Sequence, residues 1–86
     1  MYAYVAEFLG TVLLISVIAF IGNAYAIGAA LAAAILLVGG ISGGHFNPAV
    51  SLWAYMAGKI SSGALSSYII AQSAAALFVF LVARIV

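Results

Sequence analysis

Three long apolar runs, parted by short breaks, make up most of the chain. The first extends from Tyr4 to Ile21 and carries one charge, Glu7, within its first two turns. Gly22-Asn23 interrupts it, and a second run, rich in alanine and glycine, follows from Tyr25 to about Gly40. The third extends from Ala64 to about Arg84, with Tyr68 and Gln72 as its polar points. A helix needs about 20 apolar residues to cross a hydrocarbon core of about 30 Å, and each run comes close to that length. The pattern predicts three membrane-spanning helices over 4–21, 25–40 and 64–84. Tyr2 and Tyr4 suit the aromatic belt of a membrane interface. Ala24, Gly28 and Ala32 form a small-xxx-small row, which lets helix backbones approach closely in lipid. Ser66, Ser67 and Ser73 can bond back to their own helix.

Between the second and third runs the pattern changes. Gly39-Gly40-Ile41-Ser42-Gly43-Gly44-His45-Phe46-Asn47-Pro48-Ala49-Val50-Ser51 is polar and dense in glycine. Asn is a favoured N-cap, because its side-chain oxygen accepts a backbone N–H of the first helical turn. Pro suits the next position, where the missing N–H would have had no intrahelical partner. Asn47-Pro48 therefore predicts a helix start. That helix, roughly Ala49 to Ala57, is expected to stop at Gly58 as its C-cap, with Lys59 favourable at the negative dipole end. About ten residues span about 15 Å, half of the hydrocarbon core, so the helix is too short to cross. The segment 41–58 reads as a re-entrant loop and half-helix, a form tolerated only where protein buries it or water lines it. Ser61-Ser62-Gly63 then reads as a turn.

Composition settles the class. The chain has 86 residues, 70% hydrophobic and 3% charged, more apolar surface than a soluble domain of this size could hide. The fold expected is all-α and embedded in a lipid bilayer. Cysteine is absent, so disulfides and thiolate metal sites are excluded. One His without neighbouring carboxylates is no metal site, and two basic residues are too few for nucleic-acid binding. The N-terminus lacks the basic region of a cleavable signal peptide and carries Glu7 instead.

Three spans and a half-helix put the two termini on opposite sides and cannot enclose a pore alone. The half-helix would begin near mid-membrane with unpaired N–H groups and about half a positive charge. A second, inverted copy, bringing two half-helices head to head, would meet that need; inverted repeats with broken central helices recur in transport proteins. One basic residue falls on each side, Lys59 and Arg84, which gives almost no positive-inside preference. Insertion into an inner or plasma membrane in both orientations is therefore expected.

At this point the residues resemble a known family, the aquaporins and glycerol facilitators, or major intrinsic proteins. Ala6-Glu7-Phe8-Leu9-Gly10-Thr11 resembles the opening of their first helix, and Tyr68-Ile69-Ile70-Ala71-Gln72 resembles their third. Ile41 through Ser51 resembles the first of their two Asn-Pro-Ala loops almost residue for residue. The likeness covers essentially the whole chain and the first half of a family member; the second half, with its own loop in which Arg follows Asn-Pro-Ala, has no counterpart. The resemblance implies six spans and two half-helices, supplied here by two chains in an inverted homodimer, with four pores and eight chains as the larger assembly. It places Asn47, Pro48 and Ala49 of each chain at the pore centre. It makes the backbone carbonyls of Gly43, Gly44 and His45 an acceptor ladder along the wall. Carried over by offset, the constriction takes Ile27, with Ile35, Gly44 and Val50 in the paired half. Val50 stands where the family's filter holds Arg, so each mouth would be apolar, and apolar constrictions can pass water slowly or dewet.

Single polar residues carry competing readings. Glu7 is costly to bury and so is a functional candidate; the resemblance implies that it supports the Asn-Pro-Ala loop, and the alternative is a proton-carrying carboxylate. Gln72 looks like a second loop support. His45 could gate by protonation, though a wall or packing role is commoner. Trp53, Tyr55 and Met56 read as packing residues, and Lys59 as a snorkelling charge. The function expected is a passive channel for water and small neutral solutes such as glycerol, with no enzyme activity and no cofactor. The alternatives are a dual-topology, proton-coupled exporter driven by Glu7, and a half-channel subunit that needs a different second half.

Overall fold

The computed structural model describes residues 2–86 and contains four α-helices. They are α1 (Tyr2–Phe20), α2 (Ala24–Ser42), α3 (Pro48–Met56) and α4 (Ser62–Ile85). Three of them, α1, α2 and α4, are long and apolar enough to cross a membrane, and α3 is the half-length helix. The chain is an all-α membrane protein, and its long dimension of 39 Å exceeds the thickness of a hydrocarbon core, about 30 Å.

Each helix boundary has a local cause. Gly22 turns the chain with φ of +79°, and Asn23 caps α2 by accepting the Ala26 N–H at 2.8 Å. α2 runs two residues past its expected end, through Ile41 and Ser42. It stops because Gly43 adopts φ of +93° and returns its N–H to the Gly39 carbonyl at 2.7 Å. Asn47 caps α3, its side-chain oxygen accepting from Ala49 N–H at 2.7 Å, with Pro48 at the first helical position. The other end of α3 corrects the expected cap by one residue. Ala57 is the C-cap, and Gly58, at φ of +76°, follows it. Gly58 N–H donates to Tyr55 O and Lys59 N–H to Ala54 O, the paired bonds of a Schellman ending. The predicted turn at Ser61-Ser62-Gly63 is also revised. Ser61 caps α4 by accepting from Ala64 N–H at 3.1 Å, and Ser62 and Gly63 lie in its first turn.

α1 is the centre, packed against both α2 and α4, while α3 rests on α4. α1 and α4 run in the same direction: Glu7 meets Gln72, and Phe8 meets Phe78 with ring centroids 6.1 Å apart. Six of the nine buried apolar residues are alanines (Ala6, Ala30, Ala34, Ala54, Ala71 and Ala75), so the helices meet through close backbone approach. Large side chains such as Leu36, Leu37 and Phe80 face outward, where lipid solvates them as well as protein would. Trp53, Tyr55 and Met56, expected as packing residues, are also exposed on this chain, with Lys59 Nζ 5.8 Å from the Trp53 ring centre.

An apolar contact helps tie the loop to the bundle. Phe46 is buried although its φ of +54° is a left-handed value, which costs a bulky residue about 1–3 kcal/mol. Its ring lies directly over Gly10, where an added Cβ would stand inside the ring. Gly10→Ala is expected to lower stability by about 1–3 kcal/mol through overpacking, read as an earlier thermal transition in detergent. Gly28→Ala, with nothing within 4 Å of the new methyl, is the control and should leave the isolated chain's transition unchanged or slightly raised.

Candidate functional site

Glu7 organises the interior. It is fully buried on α1, and its two oxygens accept four hydrogen bonds from three other parts of the chain. Ser42 Oγ, at the end of α2, donates to Oε2 at 2.6 Å, and the His45 N–H donates to the same oxygen at 3.0 Å. Phe46 N–H donates to Oε1 at 2.7 Å, and Gln72 Nε2, from α4, donates to Oε1 at 2.9 Å. Every partner is a donor, so the carboxylate works as a pure acceptor. An isolated carboxylate in so dry a place would cost many kcal/mol; four donors replace the water it gave up.

The same cluster anchors the loop from α4 and α3. Tyr68 O–H donates to the Ser42 carbonyl at 2.7 Å, satisfying an end of α2 that helix geometry leaves open. Ser42 Oγ also accepts from Gly44 N–H at 3.2 Å. Gln72 Nε2 reaches Ser51 Oγ at 2.9 Å, and Ser51 Oγ lies 2.9 Å from Nδ1 of His45. The His45 ring meets the Tyr68 ring edge-on at 5.0 Å. Thus Gly43–Asn47 has little regular structure yet is held by hydrogen bonds to α1, α2 and α3, while α4 meets it through the Tyr68 ring.

The structure brings Glu7, Gln72, His45 and the loop backbone together. Asn47, Pro48, Ala49 and Val50 lie elsewhere, exposed along the open side of α3. Gly43 is exposed too, and Gly44 and His45 are half-buried. Ile35 and Gly44 are neighbours, since a methyl on Gly44 would come 3.2 Å from Ile35 Cγ1. Ile27 sits on α2 about 12 Å below Ile35 along the helix axis, at a different level. An apolar cavity of about 410 Å³ lies between α1 and α4, lined by residues such as Tyr4, Phe8, Ile70 and Ala74. It is nearly without polar lining and does not touch the carboxylate cluster, so it is not the candidate site.

Reading the sequence alone missed Ser42, Ser51, Phe46 and Gly10, and gave Tyr68 no task. A signal was there: a carboxylate buried in an apolar span demands donors, and serine, glutamine and tyrosine in neighbouring spans are the side chains able to supply them.

The family model described as Major intrinsic protein matches residues 1–86. Glycerol uptake facilitator protein-like 6 of Lactiplantibacillus plantarum is 43% identical over 81 residues, covering 84% of this chain and 38% of the relative. Aquaporin Z of Brucella melitensis biotype 1 is 49% identical over 55 residues, covering 64% and 24%. Aquaglyceroporin AqpS of Rhizobium meliloti is 36% identical, covering 85% and 38%. The chain spans at most about two fifths of the length of these relatives. No solved structure matches it.

Replacing Glu7 by Gln exchanges an acceptor oxygen for an N–H₂ group that must face donors. Each buried donor left unpaired costs about 1–3 kcal/mol. Glu7→Gln should therefore destabilise the fold by about 2–4 kcal/mol and expose the loop to protease in detergent. A variant as stable and as protease-resistant as the parent would show that the four bonds contribute little.

Proposed function

The chain belongs to the major intrinsic protein family, and from that premise we propose that two copies in inverted orientation form a passive membrane channel for water and small neutral solutes such as glycerol. The observation that carries this reading is the open end of α3. Asn47 is exposed at the start of that helix, and its side-chain oxygen is spent on Ala49 N–H. The amide N–H₂ is left as a donor on the open side, beside a helix end bearing about half a positive charge. A water or hydroxyl oxygen can accept from that amide while the helix end opposes cations. The carbonyls of Gly43, Gly44 and His45 supply acceptors along the same side, and Ile27, Ile35 and Val50 make the constrictions apolar.

A second copy answers the exposed geometry. α2 packs only on α1 and α3 only on α4, so the side between α2 and α3 has no cover within the chain. An inverted partner brings a second Asn47 to face the first, and four such dimers give four pores in eight chains without changing the conduit. One basic residue near each face, Lys59 and Arg84, suits insertion in either direction. The names of the relatives, aquaporin, aquaglyceroporin and glycerol uptake facilitator, agree with this substrate class. Glu7, the candidate proton carrier of an exporter, has no exposed atom and is engaged by four donors, so we assign it to holding the loop.

Osmotic shrinkage of proteoliposomes, followed by stopped-flow light scattering with the chain as sole protein, tests the proposal. Shrinkage faster than empty vesicles, abolished by Ile27→Trp or Val50→Trp, is the expected result. Folded protein that leaves shrinkage at the bare-lipid rate overturns the homomeric channel, and an oligomeric mass of one copy then favours a subunit that needs a different second half. Asn47→Asp places negative charge at the midplane and should raise proton flux in a pH-jump assay. An unchanged flux would refute the part given to the helix ends.

A further inference from the structure

The buried cluster is directional, and its direction can be followed to a half-exposed ring. Glu7 accepts only, so the Gln72 amide must turn its nitrogen toward Oε1. That nitrogen has two hydrogens, and the second is directed at Ser51 Oγ, 2.9 Å away. Ser51 is fully buried and therefore accepts from Gln72 with one lone pair. Its own O–H then needs an acceptor. The remaining polar partner within hydrogen-bond distance is Nδ1 of His45, at 2.9 Å. Ser67 bonds back to the Gly63 carbonyl one turn earlier in its helix at 3.1 Å, but Ser51 makes no such bond to Asn47. Tyr68, edge-on to the imidazole, already donates its O–H to Ser42.

We propose that Ser51, loaded by Gln72, is a positioning residue that holds His45 as the tautomer protonated on Nε2, and so presents a fixed N–H donor on the open side of the loop. Two observations place that donor within reach of a ligand. Nε2 has no protein partner, yet it is not among the buried unpaired atoms of the described residues, which are Thr11 Oγ1 and Gln72 Oε1. It also lies beside exposed Gly43, where an added Cβ would come 3.2 Å from it, so the missing side chain leaves the nitrogen uncovered. An acceptor oxygen, of water or of a neutral hydroxylated solute, fits an N–H donor there; a cation does not. The part this donor plays in conduction rests on the channel reading, whereas the tautomer does not.

The chain contains one histidine, so its imidazole nitrogens can be assigned without ambiguity after ¹⁵N labelling. In the full-length protein in lipid, NMR should show Nδ1 as an unprotonated acceptor and Nε2 as N–H. An Nδ1–H ring, or two tautomers in comparable amounts, overturns the proposal and needs no variant to do so. Ser51→Ala should lower the Nε2–H to Nδ1–H ratio roughly fivefold, the bias that one hydrogen bond supplies, and Ser51→Thr, which restores the hydroxyl, should bring the parent spectrum back. An unchanged ratio in folded Ser51→Ala removes Ser51 from the role. Water flux measured on the same vesicles is a separate readout: absent flux with the Nε2–H tautomer intact refutes the channel and leaves this proposal standing.

Discussion

A carboxylate with no solvent exposure, buried among apolar helices, sets the terms for everything around it. Glu7 cannot be hydrated, and the chain meets it with donors: one hydroxyl, two backbone N–H groups and one amide. Two of those donors are loop backbone that no secondary structure satisfies. The charge and the loop therefore solve each other's problem. The loop lacks acceptors and Glu7 lacks donors, and their meeting lets irregular backbone sit among apolar helices.

The same trade explains why the bundle is built from small residues. Hydrogen bonds of 2.6–3.0 Å that join α1 to the end of α2, the loop and α4 require the helices to approach closely. Ala6 and Gly10 on α1, with Ala71 and Ala75 on α4, permit that approach. Gly10 has the further task of admitting the Phe46 ring, whose burial offsets the left-handed backbone beneath it. Lipid outside the helices is as apolar as the side chains that face it, so packing and polar bonds hold the helices together, and hydrophobic burial contributes less than it would in water.

The packing leaves one side unfinished. α1 is covered by two helices, α2 and α3 by one each, and the loop that connects α2 to α3 leaves Gly43 and Asn47 exposed. The half-buried His45 belongs to both regions. Its backbone is bound to Glu7, its Nδ1 meets Ser51, and its Nε2 is free. The interior carboxylate and the open side are thus joined through Gln72, Ser51 and one imidazole.

The sequence by itself determined the class, the number of spans, the half-helix and its Asn-Pro start, because apolar run length, glycine and N-cap chemistry act locally. It also marked Glu7 and Gln72, since polar groups stand out in an apolar span. Small local errors, Gly58 one residue past the cap and Ser62-Gly63 inside α4, arose because cap geometry depends on which carbonyls the next N–H groups reach. The partners of Glu7 come from residues 35 to 65 positions away, and no local pattern states which of several serines will arrive there. Only the tertiary structure decided that Ser42 and Ser51 serve the cluster while Ser67 turns back on its own helix. It alone decided that Phe46 is buried at a positive φ against Gly10. Distance in sequence hides such bonds, and close packing in space creates them.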